Sequence, residues 1–275
     1  MACQLKINKY YLEKSNIFTF EVHACIVINV INTYNETDLH KKLKEFYAEK
    51  YHGKTEIPEC DVICDIICDD NEHTVIEIQT KGLYKLLPKI LKLKDAHTIR
   101  VVHPLITEFK IELRDEEGNL IYRRKSPKKL SLVDVYEELM GIYPILNEPW
   151  FTLEVLPVTC TEKRIRTKEP VQLANKSRRF MKNWYKAGRE LTSMQESIVL
   201  HGLASYVDIL PEKVKEFKDG TPFCAKDLGK AGCGKQNYRI LWVLKKTEAV
   251  EFAFKKGRTS YYRFAEYIQS KHSTL

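Results

Sequence analysis

Val75-Ile76-Glu77-Ile78-Gln79-Thr80-Lys81 alternates apolar and polar side chains. A two-residue period is the signature of a strand, and it puts Glu77, Gln79 and Lys81 on one face. A carboxylate, an amide and an ammonium in a row mean either a solvated edge or a site. Immediately upstream, residues 60–68 (CDVICDIIC) read as a second strand, joined through a turn at 69–72. Strand parity places Asp61, Ile63, Asp65 and Ile67 on one of its faces and Cys60, Val62, Cys64, Ile66 and Cys68 on the other. Pairing the two strands brings an acidic face against Glu77, Gln79 and Lys81. Two carboxylates from neighbouring strands, with an amine or amide close by, suit a hard cation. Mg²⁺ takes one or two protein carboxylates and fills its shell with water and phosphate oxygen. Such an ion acidifies a water and stabilises charge developing on a phosphodiester.

Around this pair the pattern alternates between periods. Residues 36–50 carry Leu39, Leu43, Phe46 and Tyr47 at helical spacing. Residues 83–93 read as a helix kinked at Pro88, 97–105 as a short buried strand, and 109–113 with 120–125 as a hairpin around Gly118-Asn119. A helix at 131–141, capped by Ser131, and a strand at 150–160 follow. Residues 35–162 are therefore expected to form a mixed α/β domain. Residues 1–34 read as an N-terminal extension with an extra strand, and 163–190 as a basic linker or long helix. Residues 191–268 read as a smaller domain: helices at 193–210, 223–230 and 235–246, then strands at 249–254 and 259–264.

With 44% hydrophobic and 30% charged residues, the 275-residue chain has the composition of a folded protein and not of a disordered one. The longest apolar run, 24–31, is broken by Asn29 and falls far short of the ~20 residues a membrane helix needs. With no signal-like start, a cytoplasmic location and no membrane partner are expected. Eight cysteines scattered through such a chain are expected to be reduced thiols. Charge is uneven. Residues 1–162 hold 21 Lys/Arg against 26 Asp/Glu (net −5), and residues 163–275 hold 24 against 11 (net +13). A basic half joined to an acidic one points to a polyanion partner, nucleic acid above all.

Asp65, a strand-turn-strand spacer and then Glu77-Ile78-Gln79 resemble the PD-(D/E)XK nuclease superfamily. More narrowly, TDLHKKLKEFYA (37–48), VIEIQTKGLYKLLPKI (75–90), HTIRVVHPL (97–105) and YRRKSPKK (122–129), in that order, resemble a family of bacterial proteins that carry such a core before a C-terminal winged helix. The resemblance implies a restriction-endonuclease-like mixed-sheet domain followed by a small winged helix-turn-helix domain. It implies Asp65 and Glu77 as ligands of Mg²⁺ or Mn²⁺, with the Ile78 carbonyl as a further ligand. Gln79 stands where the superfamily has Lys. Lys81, one strand period later, faces the same way and is the candidate for the missing positive charge. The opening helix adds Glu36, one turn from His40, as a further candidate for the site. Arg123, Arg124, Lys125, Lys128 and Lys129 are candidates for holding the flanking backbone.

In the C-terminal part, Lys235, Gln236, Asn237 and Arg239 open a helix at the end where recognition helices meet base edges. Lys255, Lys256 and Arg258 tip the following hairpin and would meet phosphate. The resulting expectation is a Mg²⁺-dependent nuclease that acts on DNA in preference to RNA, with a homodimer as a candidate assembly. The alternative is a non-catalytic DNA-binding regulator or defence-system component with a degenerate core. Two other patterns are set aside. Gly229-Lys230-Ala231-Gly232-Cys233-Gly234-Lys235-Gln236 nearly spells a phosphate-binding loop, but it lacks the Ser/Thr and a leading strand. Cys60, Cys64 and Cys68 read as core packing, with no His placed beside any cysteine.

Overall fold

The computed structural model describes residues 38–127, 129–172 and 181–269. The expected N-terminal strand, Glu36 and Lys128 lie outside the described residues.

The fold is mixed α/β. Its first helix, α1 (Asp38–Lys50), buries Leu39, Leu43 and Tyr47 in an i, i+4 stripe. The strand expected at 60–68 is present as β2 (Val62–Ile67), the second arm of a hairpin whose first arm, β1 (Lys54–Glu59), pairs with it antiparallel. The hairpin's two-residue turn is Cys60-Asp61, with φ of 47° and 59°. Positive φ at both turn residues is what a tight hairpin needs, and without the usual glycine the turn leaves little trace in the sequence. After β3 (Val75–Ile78), Gly82 takes a left-handed φ of 71° and turns the chain into a 3₁₀ turn at Leu83–Leu86. That turn runs into α2 (Leu87–Leu93). Pro88 lies in the first turn of α2, where its missing N–H costs nothing, so it starts the helix where a kink was expected.

The next two strands are much longer than predicted. β4 (Ile99–Arg114) merges two expected strands, and it pairs with β5 (Leu120–Lys125) beyond residue 110. A 3₁₀ turn (Leu132–Val135) and α3 (Tyr136–Leu139) replace the single expected helix. β6 (Phe151–Gln172) then runs on through the region read as linker and is matched by β7 (Met181–Met194). Residues 163–190 are thus a strand pair where they are described, and not a helix. The expected helix at 193–210 is the end of β7, then β8 (Ile198–Leu200), then α4 (Gly202–Asp208).

Among the described residues, β1 to β8 form one sheet in the order β1-β2-β3-β4-β6-β7. β5 takes the edge of β4 that β3 leaves, and β8 takes the edge of β6 that β7 leaves. β3, β4 and β6 run parallel, and the connections between them carry α2 and α3. One face packs Val75, Ile99, Val101, Leu153 and Val155 against Leu86, Ile90, Tyr136 and Leu139. The other packs Ile76, Ile78, Val102, Leu156 and Val158 under α1.

The chain continues through α5 (Glu212–Lys215), α6 (Ala225–Leu228), α7 (Asn237–Lys246), β9 (Val250–Lys256), β10 (Thr259–Phe264) and α8 (Glu266–Gln269). β9 and β10 are the antiparallel hairpin expected from the sequence. This part does not stand apart. Leu203, Tyr206, Leu228, Ile240 and Leu244 join the same core as α2 and α3. Tyr136 Oη donates to the Tyr206 carbonyl (2.7 Å), and Trp242 packs edge-on to Tyr143. No helix among the described residues is long and apolar enough to cross a membrane.

Candidate active site

β2 and β3 pair at only two positions, Ile67 with Val75 and Ile66 with Ile76. Beyond them the strands part, and their freed amides need acceptors. Two carboxylates supply them. The Asp65 N–H donates to Glu77 Oε1 (3.1 Å), and the Ile78 N–H donates to Asp65 Oδ2 (2.9 Å). The pair singled out by parity and spacing is therefore brought together, each carboxylate accepting a backbone N–H from the facing strand.

A helix approaches this gap from each face of the sheet. From α1, His40 Nε2 lies 3.4 Å from Asp65 Oδ2. From α2, Lys89 Nζ donates to Glu77 Oε2 at 2.5 Å. Lys89 occupies the place expected for Gln79 or Lys81. β3 ends at Ile78, so the parity that set those two beside Glu77 no longer holds. The Gln79 amide folds back onto the Lys81 carbonyl (2.6 Å), and Lys81 is exposed past the strand end. The Gln79 carbonyl accepts from His103 Nδ1 (2.8 Å), which fixes the turn toward Gly82.

The electrostatics differ across the pair. Glu77 is 1% exposed. Burial and the neighbouring Asp65 charge push its carboxyl up to about 7, against the pull of Lys89. Burial also works against Asp65. There the His40 ring, the Ile78 N–H and the Lys89 charge outweigh it and hold the carboxyl below its ordinary value. The site therefore offers one readily ionised, partly exposed carboxylate and one reluctant buried one, with a single ammonium between the helix and the gap. Asp65 Oδ1 carries no hydrogen bond among the described residues.

A second buried polar group lies on the α1 face. Tyr47 Oη (2.6 Å) and Arg100 Nη1 (2.9 Å) both donate to Glu154, and Arg100 also covers the Tyr51 ring. Every charge there is satisfied, and the group fastens α1 to β4 and β6.

The C-terminal candidates separate into two sets. Gln236 is 2% exposed; its amide donates to Asp134 and its carbonyl accepts from Arg239. The Asn237 amide donates to the Ala225 carbonyl. These side chains fasten α7 to its neighbours, so Gln236 is not available to a base edge. Lys235, Lys255, Lys256 and Arg258 are exposed, as are the rings of Tyr238, Phe252 and Phe254. Arg123 and Lys125 pair with Glu112 and Glu108, whereas Arg124 and Lys129 have no ion pair among the described residues.

Residues 37–201 match a family described as a domain of unknown function, DUF8091. The chain belongs to the DUF8091 family. A Treponema pallidum (strain Nichols) chain titled "Uncharacterized protein" is 30% identical over 240 residues, covering 85% of this chain and 87% of that one. No solved structure matches. The DUF8091 match begins at α1, includes Asp65, Glu77 and Lys89, and ends at the start of α4.

Proposed function

We propose that the chain is a Mg²⁺- or Mn²⁺-dependent nuclease that acts on nucleic acid, DNA in preference to RNA. It is read as a restriction-endonuclease-like core followed by a winged helix. The observation that carries this reading is Lys89 on Glu77, beside Asp65, at a gap where two strands part. A carboxylate pair with one ammonium is what the hydrolysis of a phosphodiester requires of the protein.

The residues fit a small hard cation. Asp65 offers an uncommitted oxygen. Glu77 resists ionisation because it is buried and lies beside the Asp65 charge, which Lys89 offsets only in part. When bound, the ion supplies an acidified water and positive charge for the phosphodiester. Asp65 and Glu77 would hold it, His40 keeps the Asp65 carboxylate in orientation, and the Lys89 ammonium, now on Glu77, would supply positive charge to a phosphate there. The exposed β9–β10 hairpin pairs Lys255, Lys256 and Arg258 with Phe252 and Phe254. Basic and aromatic groups together suit phosphate and base stacking.

One observation favours a second reading, a non-catalytic nucleic-acid binder. Asp65 and Glu77 each hold a backbone N–H at the gap, which is a structural use sufficient for both. Cleavage assays on single- and double-stranded DNA and RNA, with Mg²⁺ and with Mn²⁺, separate the two. The nuclease reading expects wild-type cleavage of DNA that Glu77→Gln and Lys89→Ala lose while still binding it. Wild-type protein that cuts none of these substrates with either ion overturns it.

A further inference from the structure

The tip of the β1–β2 hairpin lies against the loop that leads into β4. This brings together Glu59, Cys60 and His97, residues that the sequence reading left unconnected. One ligand atom from each lies within 4.8 Å of the others, the only such group of three His, Cys, Asp or Glu among the described residues. Cys60 Sγ is 3.5 Å and His97 Nε2 3.7 Å from the same oxygen, Glu59 Oε1. A tetrahedral ion at about 2.0 Å from N and O and about 2.3 Å from S has ligand-to-ligand edges of about 3.3–3.5 Å. The two edges at Glu59 Oε1 are therefore close to those of a filled site.

His97 supplies the independent observation. Its side chain is 8% exposed, and its Nδ1 lies 2.7 Å from the His73 carbonyl. A carbonyl only accepts, so Nδ1 carries a proton, and Nε2 is the ring nitrogen that faces Glu59 and Cys60. That Nε2 is buried and has no hydrogen-bond partner among the described residues, its approach to Glu59 Oε1 being too long for one. An imidazole whose far nitrogen is anchored on a carbonyl, with its near nitrogen bare, is how metal-ligating histidines are held. Buried polar atoms are otherwise seldom left without a partner.

We propose that Glu59, Cys60 and His97 form a site for a borderline divalent transition ion, Zn²⁺ by its mixed O, S and N donors, with a fourth position open to solvent. Mg²⁺ does not suit it, because a thiol and an imidazole are poor ligands for a hard ion. Cys60 is exposed at the turn and Glu59 is 38% exposed, so an ion can reach them. On binding, Cys60 Sγ gives up the proton it now shares with Glu59, and that proton passes to solvent as the sulfur–metal bond forms. The ion would tie the hairpin tip to the α2–β4 loop, apart from the Asp65–Glu77 pair.

The test is titration of chelator-stripped, full-length protein with Co²⁺ and then Zn²⁺. One equivalent of Co²⁺ is expected to give thiolate-to-cobalt charge-transfer absorption and the strong visible bands of a tetrahedral site, both bleached by one equivalent of Zn²⁺. Cys60→Ser should abolish the charge-transfer band while the far-UV circular dichroism stays native. Cys64→Ser and Glu77→Gln should keep it. His97→Ala should weaken Co²⁺ binding by more than the roughly 10–100-fold that loss of an outer partner costs. The proposal is overturned if wild-type protein gives no such spectrum, or if the band survives in Cys60→Ser.

Discussion

A carboxylate buried beside a second carboxylate resists ionisation, and at Glu77 this links stability to pH. Its carboxyl titrates near 7 in the fold against an ordinary 4.5. The folded state thus keeps a proton that the unfolded chain releases. The associated stability is fully present below 4.5 and is lost as pH rises through 7, in all about 3 kcal/mol. Glu77→Gln carries no such proton. Denaturant unfolding at pH 4 and pH 8 should therefore show the variant gaining about 3 kcal/mol on wild type between the two; a constant difference would refute the assignment. Saturating Mg²⁺ at pH 8 should raise the melting temperature of wild type and leave that of the variant unchanged. On the nuclease reading proposed above, Lys89→Ala should lose cleavage, whereas Lys81→Ala, at an exposed position past the strand end, should keep it. Asp65 and Glu77 were legible in the sequence because alternation marks a strand face. Lys89 was not, because the apolar period of its helix marks 86, 90 and 93 and leaves 89 as one polar position among several. Only the reversal at Gly82 carries it over β3. Cys60 was misread for the opposite reason: an uninterrupted alternation ran through a turn that has no glycine to mark it.

The β6–β7 ladder shows why elements are harder to read than periods. A strand pair solvated on both faces buries too little to alternate, so residues 163–190 look like a charged linker. Among the described residues of this stretch, ion pairs gather around one buried carboxylate. Glu162, 1% exposed, receives Arg164 (2.6 Å) and Lys186 (2.7 Å), with Arg189 at 4.0 Å, and Arg164 stacks 3.8 Å above the Trp184 ring. Burial alone would raise the Glu162 carboxyl, but Lys186 and Arg164 hold it below its ordinary value. Glu162→Ala should cost roughly 2 kcal/mol, the scale of hydrogen bonds to charged groups. Hydrogen exchange should accelerate at 164–166 and 184–189 while 151–158 stays protected, and uniform loss of protection would contradict this. The β9–β10 hairpin, by contrast, was read almost to the residue, because Lys-Lys-Gly-Arg breaks two clear strand runs. Its charges should carry nucleic-acid binding. Lys255→Glu/Lys256→Glu/Arg258→Glu should weaken binding and flatten its salt dependence. Gln236→Ala should lower stability by roughly 1–3 kcal/mol through the loss of its two charge-assisted hydrogen bonds, to Asp134 and from Arg239, and leave that salt slope alone. An unchanged slope in the triple variant would remove the hairpin from the interface.

At the scale of the molecule, a two-domain chain with a linker was the reading that composition encouraged, since the charge changes sign near residue 162. Packing gives another answer. Residues Thr33–Leu275 form one compact unit, and the apolar face over α2 and α3 is completed only by side chains from α4 to α8. Val135, Tyr136, Leu139 and Ile142 are all essentially inaccessible. Tyr136 is bonded to the backbone of α4, and Asp134 to Gln236 at the entrance to α7. Fully burying one large apolar side chain contributes roughly 1.5–3 kcal/mol. Uncovering several would consume most of a total stability of about 5–15 kcal/mol. The DUF8091 match ends at residue 201, so a fragment cut there tests whether the matched region is a folding unit. The full chain should unfold in a single cooperative transition. Fragment 38–201 should lack one at any temperature, expose apolar surface and self-associate. A fragment melting cooperatively within about 5 °C of the full chain, a shift worth only about 1–2 kcal/mol at this size, would mean that the C-terminal helices rest on a finished core rather than complete it.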